Sequence, residues 1–205
     1  MTPRFKKKSM VILTTVIGLS IFTLAAFAAE FQADLIQKHQ GMEIKGKFYI
    51  KKNKTRMDMD MMGQKTSMIT RMDKNVTWNV QHGAMMYLEM PIPQESAQTL
   101  QTDEELKKIA VKKKIGSETV NGYTCDKYEI IYHDKQRGKL IQWFSRKLNF
   151  PVKMIYHGPQ GDMSIEYKNI QVGNVKDSLF EVPQGFQKMS MPAMGPGMGG
   201  MMPKQ

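Results

Sequence analysis

The sequence predicts a mainly β protein, an antiparallel set of about ten or eleven strands bent into a strongly curved sheet or open barrel, with one helix inserted mid-chain. Three observations predict it. Polar and apolar residues alternate with period two from Phe31 onward, the mark of strands with one wet and one dry face. Turn residues arrive about every eight to twelve positions, the rhythm of a meander. The rhythm breaks once, where Thr102-Asp103-Glu104-Glu105 reads as a helix-capping signature.

The chain opens on Arg4, Lys6, Lys7 and Lys8, followed by an uncharged apolar run over residues 10–28 that closes on Ala26-Phe27-Ala28. A positive start, a greasy middle and a small-x-small end form an export signal, expected to be cleaved after Ala28. The expected domains are therefore a signal peptide over 1–28, a β domain over 29–186 and a tail over 187–205. The expected location is the periplasm. The whole chain has 30 basic and 19 acidic residues, a net charge of +11, and removing the four basic residues of the signal leaves 26 against 19. The single cysteine excludes an intramolecular disulfide framework and a cysteine-rich zinc site.

The strands follow in order. Ile44, Gly46, Phe48 and Ile50 interleave with Lys45, Lys47, Tyr49 and Lys51, and after Lys52-Asn53-Lys54 the residues Met57, Met59 and Met61 alternate with Asp58 and Asp60. Met62-Gly63-Gln64 turns the chain into Met68, Thr70 and Met72, which oppose Ile69 and Arg71. Val76, Trp78 and Val80 come next, then Met85 to Glu89. Pro91 and Pro93 end that strand, and Leu106, Ile109 and Ala110 follow at helical spacing, an amphipathic helix of about three turns. Strand signals resume at Ile115, turn at Asn121-Gly122, and run through three further hairpins to Val172. Asp177-Ser178-Leu179-Phe180 reads as a short helical turn. From Gln187 the composition collapses to Met, Gly and Pro, which cannot bury enough to offset chain entropy, so a disordered tail is expected there.

Methionine is the outlier, with 20 residues. Thioether side chains are flexible and polarizable, so a stripe of them makes an adaptable apolar surface, although methionine also serves as ordinary core filler. The candidate ligand-binding face comprises Phe48, Ile50, Met57, Met59, Met61, Met68, Trp78, Met85, Trp143 and Met154. The same thioethers suit Cu(I), and an alternative soft-metal set is Met189, Met191, Met194 and Met198 in the tail. No catalytic constellation stands out and no cofactor is expected. His39, His82, His133 and His157 lie far apart, at turns, without zinc-ligand spacing. Asp58 and Asp60, the best carboxylate pair, are expected to face solvent beside Arg56 and Lys65. Cys125 is expected to be buried as a small hydrophobe. Lys51, Lys52 and Lys54, and then Lys107, Lys108, Lys112, Lys113 and Lys114, form two basic clusters. An exported chain does not meet nucleic acid. These clusters are either a solvated face or a surface for anionic headgroups or an acidic protein.

Several phrases are distinctive: Gly46-Lys47-Phe48-Tyr49-Ile50, Arg56-Met57-Asp58-Met59, the run from Val120 to Glu129 through Asn121-Gly122-Tyr123-Thr124-Cys125, Gln142-Trp143-Phe144, Phe150-Pro151-Val152-Lys153-Met154, and Leu179-Phe180-Glu181-Val182-Pro183-Gln184-Gly185-Phe186. Over residues 31–192 the chain resembles an exported bacterial family of unknown function related to the LolA-like lipoprotein-carrier superfamily. The resemblance implies a half-open barrel of about eleven antiparallel strands with an apolar concave side partly covered by helix. Strand sequence starts too soon after the signal for the long first helix of the carriers. The functions implied are non-enzymatic. They are binding of lipid, of a lipoprotein's acyl chains or of another hydrophobic ligand, or interaction with an envelope protein through the same concave face.

Overall fold

Why the alternating segments become one sheet is visible in the pairing. A computed structural model describes residues 29–61, 63–92 and 103–189. The expected signal peptide and the tail beyond Met189 lie outside the described residues. Among the described residues twelve strands form a single sheet: β1 (Phe31–His39), β2 (Met42–Lys51), β3 (Lys54–Met61), β4 (Gln64–Arg71), β5 (Val76–Gln81), β6 (Met86–Pro91), β7 (Ala110–Val120), β8 (Tyr123–Tyr132), β9 (Lys139–Ser145), β10 (Phe150–Gly158), β11 (Gly161–Val172) and β12 (Gln187–Met189). Their spatial order is β12-β6-β5-β4-β3-β2-β1-β11-β10-β9-β8-β7. The first six strands walk outward from β1 to one edge. Helix α1 (Asp103–Ile109) and β7 stand at the opposite edge, and from there the strands walk back until β11 pairs antiparallel with β1. All neighbours are antiparallel except β12, which runs parallel to β6. The fold class expected from the alternation is the one observed.

Tight turns set the registers. Asn121 and Gly122 have φ of 50° and 82°, the paired left-handed geometry a two-residue hairpin needs, and Asn-Gly supplies it at least steric cost.

Two expectations change. The helix spans seven residues rather than about three turns, because Ala110 is already paired with Tyr132 as the first residue of β7. Lys112, Lys113 and Lys114 therefore stand on a strand. The tail boundary also moves, since Gln187–Met189 form β12 instead of disordered chain. Their backbone finds partners on β6, which the Met/Gly/Pro composition of the wider segment concealed.

The sheet has an apolar interior on each face. On the face to which α1 contributes Leu106, Phe31, Phe48, Phe150 and Tyr167 pack ring against ring with centroids 4.9 to 6.0 Å apart. Leu35, Ile50, Leu140, Met154 and, from α1, Leu106 complete this cluster. On the other face Ile69, Val76, Trp78 and Val80 are covered by Val175 and Phe180 from the segment that follows β11. Phe180 is fully buried, and that burial alone stabilises by about 2 to 3 kcal/mol.

That segment is a strap, residues 173–186, fastened by one strand after another. The Gly173 amide donates to the Glu30 carbonyl (2.7 Å), and Lys51 of β2 donates to the Val175 carbonyl (2.9 Å). Lys54 pairs with Asp177 (2.9 Å), and Arg56 of β3 donates to the Leu179 carbonyl (2.9 Å). Arg71 of β4 is buried and bonds Asp73, Glu181 and the Phe180 carbonyl. The ring of His82 meets Phe186 edge-on at 5.6 Å. The expected turn at Asp177–Phe180 is a 3₁₀ helix inside this strap.

Candidate functional site

Side chains paired across antiparallel strands share a face, so the registers read out the surface directly. On the side of the aromatic cluster one row runs Ala33, Phe48, Met57, Met68, Asn79 and Leu88 across β1 to β6. The next rows place Gly46, Met59, Thr66, Gln81 and Met86, and Ile50, Thr55, Thr70, Thr77 and Met90, on the same face. Burial falls along the Ala33 and Ile50 rows, while the Gly46 row is half-buried from Gly46 to Met86 with Gln81 exposed. Ala33 and Phe48 are sealed at 3% and 0% exposure, whereas Met57, Met68 and Leu88 are half-buried. Met59, Met68, Met86, Leu88 and Met90 belong to neither buried cluster. Among the described residues the face is thus sealed over β1 and β2 and only half-covered over β3 to β6, where methionines supply most of its apolar surface.

The candidate residues divide accordingly. Met57, Met59 and Met68 stand together on the open half, with Met61 at its margin, 45% exposed. Phe48, Ile50 and Met154 share the face but are buried in the closed half, where they form core. Trp78 does not belong to this surface: it pairs with Ile69 and Glu89, so it lies on the opposite face beneath the strap, its indole N–H donating to Glu89 (2.9 Å). Trp143 pairs with Lys153 rather than with Met154, and it is buried in the same core cluster as Met154, so it is interior and not part of the open surface. The ammonium groups of Lys127 and Lys153 sit 4.6 and 5.0 Å from the Trp143 ring. Met85 is a turn residue with φ of 50° and 53% exposure, and its carbonyl receives the Gln187 amide. Met86, Leu88 and Met90 take the place expected of Met85. Their period-two spacing was the signal, hidden because Met85 and Met86 are adjacent.

No charged side chain stands on the three rows over β3 to β6. Charge gathers instead on the strap side. Asp58 bonds Arg56 (2.6 Å) and Ser67 (2.6 Å), and the Ser67 hydroxyl also meets His82 Nε2 at 2.7 Å. Ser67 is buried with its hydroxyl engaged on several sides, so this trio fastens structure rather than offering a nucleophile. Asp58 is half-buried in that network instead of simply facing solvent, while Asp60 is exposed. The Lys51 and Lys54 cluster holds the strap, and hydrogen bonds from Lys54 and Lys51 bring the Asp177 carboxyl down to about 2. Cys125 is buried, its thiol donating to the Tyr123 carbonyl, and burial raises its pKa.

Among the described residues no group of three His, Cys, Asp or Glu side chains could hold a metal ion. Of the alternative soft-metal set, Met189 is half-buried in β12 beside Leu88, and Met191, Met194 and Met198 lie outside the described residues. No helix among the described residues is long and apolar enough to cross a membrane.

Comparison with known proteins agrees with this architecture. An uncharacterized conserved protein from Thermus thermophilus superposes with a TM-score of 0.59 at 10% identity, covering 80% of this chain and 91% of that one. A chain of the Pseudomonas aeruginosa MucA/MucB complex superposes at 0.54 with 14% identity, covering 76% of this chain and 56% of that one. At these identities the likeness concerns the fold alone. A LolA superfamily protein from Nitrosomonas europaea is also matched, with a TM-score of 0.32, 9% identity, and 79% and 93% of the two chains covered. No curated protein matches by sequence. The model of one family matches residues 30–149, more than half of the chain, from β1 to the turn before β10. The chain belongs to that family, Domain of unknown function (DUF4412).

Proposed function

We propose that this chain is an exported, non-enzymatic binding protein that holds an acyl chain, or another apolar ligand such as a lipoprotein's lipid, on the methionine face of β3 to β6. The observation that carries the reading is the decline of burial along the Ala33–Leu88 row, from sealed core to half-buried methionine and leucine. Apolar surface of this kind, contiguous with a core and free of charge, gains free energy when covered. Methionine suits it to chains of varied length and branching, because three rotatable bonds let each side chain re-pack.

Magnitude sets the kind of binding. At about 0.8 kcal/mol per buried CH₂, complete burial of a chain of about sixteen carbons gains roughly 12 kcal/mol gross. A face that covers one side of the chain keeps about half of that, and association costs take a further share. The expectation is reversible binding on an open trough rather than storage in a closed cavity, in keeping with the aromatic cluster that fills the interior beside it.

A polypeptide on the same face is the second reading, supported by the fold likeness to MucB, which has been solved in complex with MucA. Native mass spectrometry of protein purified from its own envelope separates the two. Co-purified lipid supports the first reading, a bound polypeptide supports the second, and protein free of either in gentle detergent-free preparations contradicts both.

A further inference from the structure

The two edges of the sheet are treated differently. At one edge the C-terminal residues return as β12 and cover β6. At the other, β7 is the last strand among the described residues, and it is 11 residues long and exposed along nearly its whole length. An uncovered edge presents unpaired backbone donors and acceptors to any extended chain.

Part of β7 reads as protection. Lys112, Lys113 and Lys114 in succession, and a register shift between Lys114 and Gly116, are the devices by which edge strands refuse one another. Protection alone does not explain what surrounds the edge. Val111 and Ile131 are cross-strand partners, exposed by 57% and 48%, and Ile115 is exposed as well. Two clefts flank the strand. One of about 400 Å³ lies at its start, lined by Leu106, Lys107, Ala110, Val111, Lys112 and Tyr128. One of about 620 Å³ lies on the β8 side of the strand, reaching β7 only at Lys114 and otherwise lined mainly by Tyr123, Thr124, Asp126, Arg146 and Lys147. Asp126 is already matched there, by Lys114 at 2.5 Å and Arg146 at 2.6 Å, so both clefts are basic.

We infer that β7 is a docking edge for an extended, acidic polypeptide, added as a further strand with its carboxylates toward the lysines and an apolar side chain in the cleft at the strand's start. Strand addition draws affinity from main-chain hydrogen bonds and specificity from pockets for alternate residues. The charge selects the partner. A neutral or basic strand gains nothing from the lysine run, and a second copy of β7 would set lysine against lysine. This surface lies at the far edge from the methionine face, and the inference stands independently of the ligand held there.

The test uses the mature chain and a short capped peptide alternating Glu and Val, with its Lys-for-Glu counterpart as control, at low salt. The Glu peptide is expected to slow hydrogen exchange at β7 amides and the Lys peptide to leave them unchanged. The variant Lys113→Glu, at an exposed position of β7, is expected to bind the Glu peptide several-fold more weakly at an unchanged urea midpoint. Equal binding of both peptides, protection on the strap or the methionine face instead of β7, dimerisation through β7, or no binding at low salt would each overturn the inference. None of these outcomes bears on lipid binding, which is read at the methionines.

Discussion

Met68 and Ile69 are neighbours in the chain and belong to different interiors. Met68 faces Met57 and Asn79 on the open trough, half-buried, while Ile69 faces Trp78 and is fully buried under the strap. A single strand thus supplies binding surface with one phase of its alternation and structural core with the other. Ile69→Ala is expected to cost about 3 kcal/mol of stability, read from urea unfolding. Met68→Ala is expected to cost under about 1 kcal/mol and to weaken binding of a fluorescent fatty acid several-fold.

Buried Arg71 is the central fastening of the strap. Hydrogen bonds to Asp73, and then to Glu181, keep its guanidinium charged. Arg71→Ala leaves a gap and strands two carboxylates, with an expected loss of about 3 kcal/mol. Glu181→Gln, at a side chain 48% exposed, is expected to cost less than about 1 kcal/mol. Hydrogen exchange at the amides of residues 175–187 should quicken in the first variant and barely change in the second.

Acid should loosen the strap. Asp177 titrates at about 2 in the folded chain, against an ordinary 3.8, because Lys54 and Lys51 favour its charged form. A carboxylate depressed on folding contributes its stability above the unfolded value and loses it as pH falls through the folded one. The urea midpoint is therefore expected to decline between roughly pH 4 and pH 2. Asp177→Asn should lower the midpoint at neutral pH and flatten part of that decline. An unaltered pH profile in the variant would show that the lysines do not hold the strap through Asp177.

Gly46 lets β2 and β3 approach. A Cβ there would sit 2.1 Å from the Asp58 carbonyl oxygen, a backbone atom that cannot rotate aside. Gly46→Ala is expected to cost about 2 kcal/mol, seen as a lower urea midpoint, with β2 and β3 amides exchanging faster.

The sheet itself was legible, because alternation and turn residues specify strands locally and Asn121-Gly122 specifies its hairpin without tertiary help. The site was less so. Period two says which residues share a face but not which face is covered, and β4 and β5 carry apolar residues on both phases or bring them into line with neighbours that do. Trp78 therefore reads like Met57 until the strap is placed over it. Trp143 misleads for another reason: with Lys127 and Lys153 against its ring, it is buried in the same core cluster as Met154 and offers no open surface. The strap could not be seen at all, since its partners, from Glu30 to His82, lie more than a hundred residues away in the chain. Helix α1 ends early for a similar cause, the pairing of Ala110 with Tyr132 overriding local helical spacing.

Binding on the open methionine face is tested most directly by labelling methionine methyl groups with ¹³C and titrating the chain with a long-chain fatty acid in NMR. The methyls of Met59, Met68, Met86 and Met90 are expected to shift together with one saturation curve, while Met154, sealed in the aromatic cluster, stays still. Silence at all four, or shifts confined to methionines elsewhere, would contradict the proposed site.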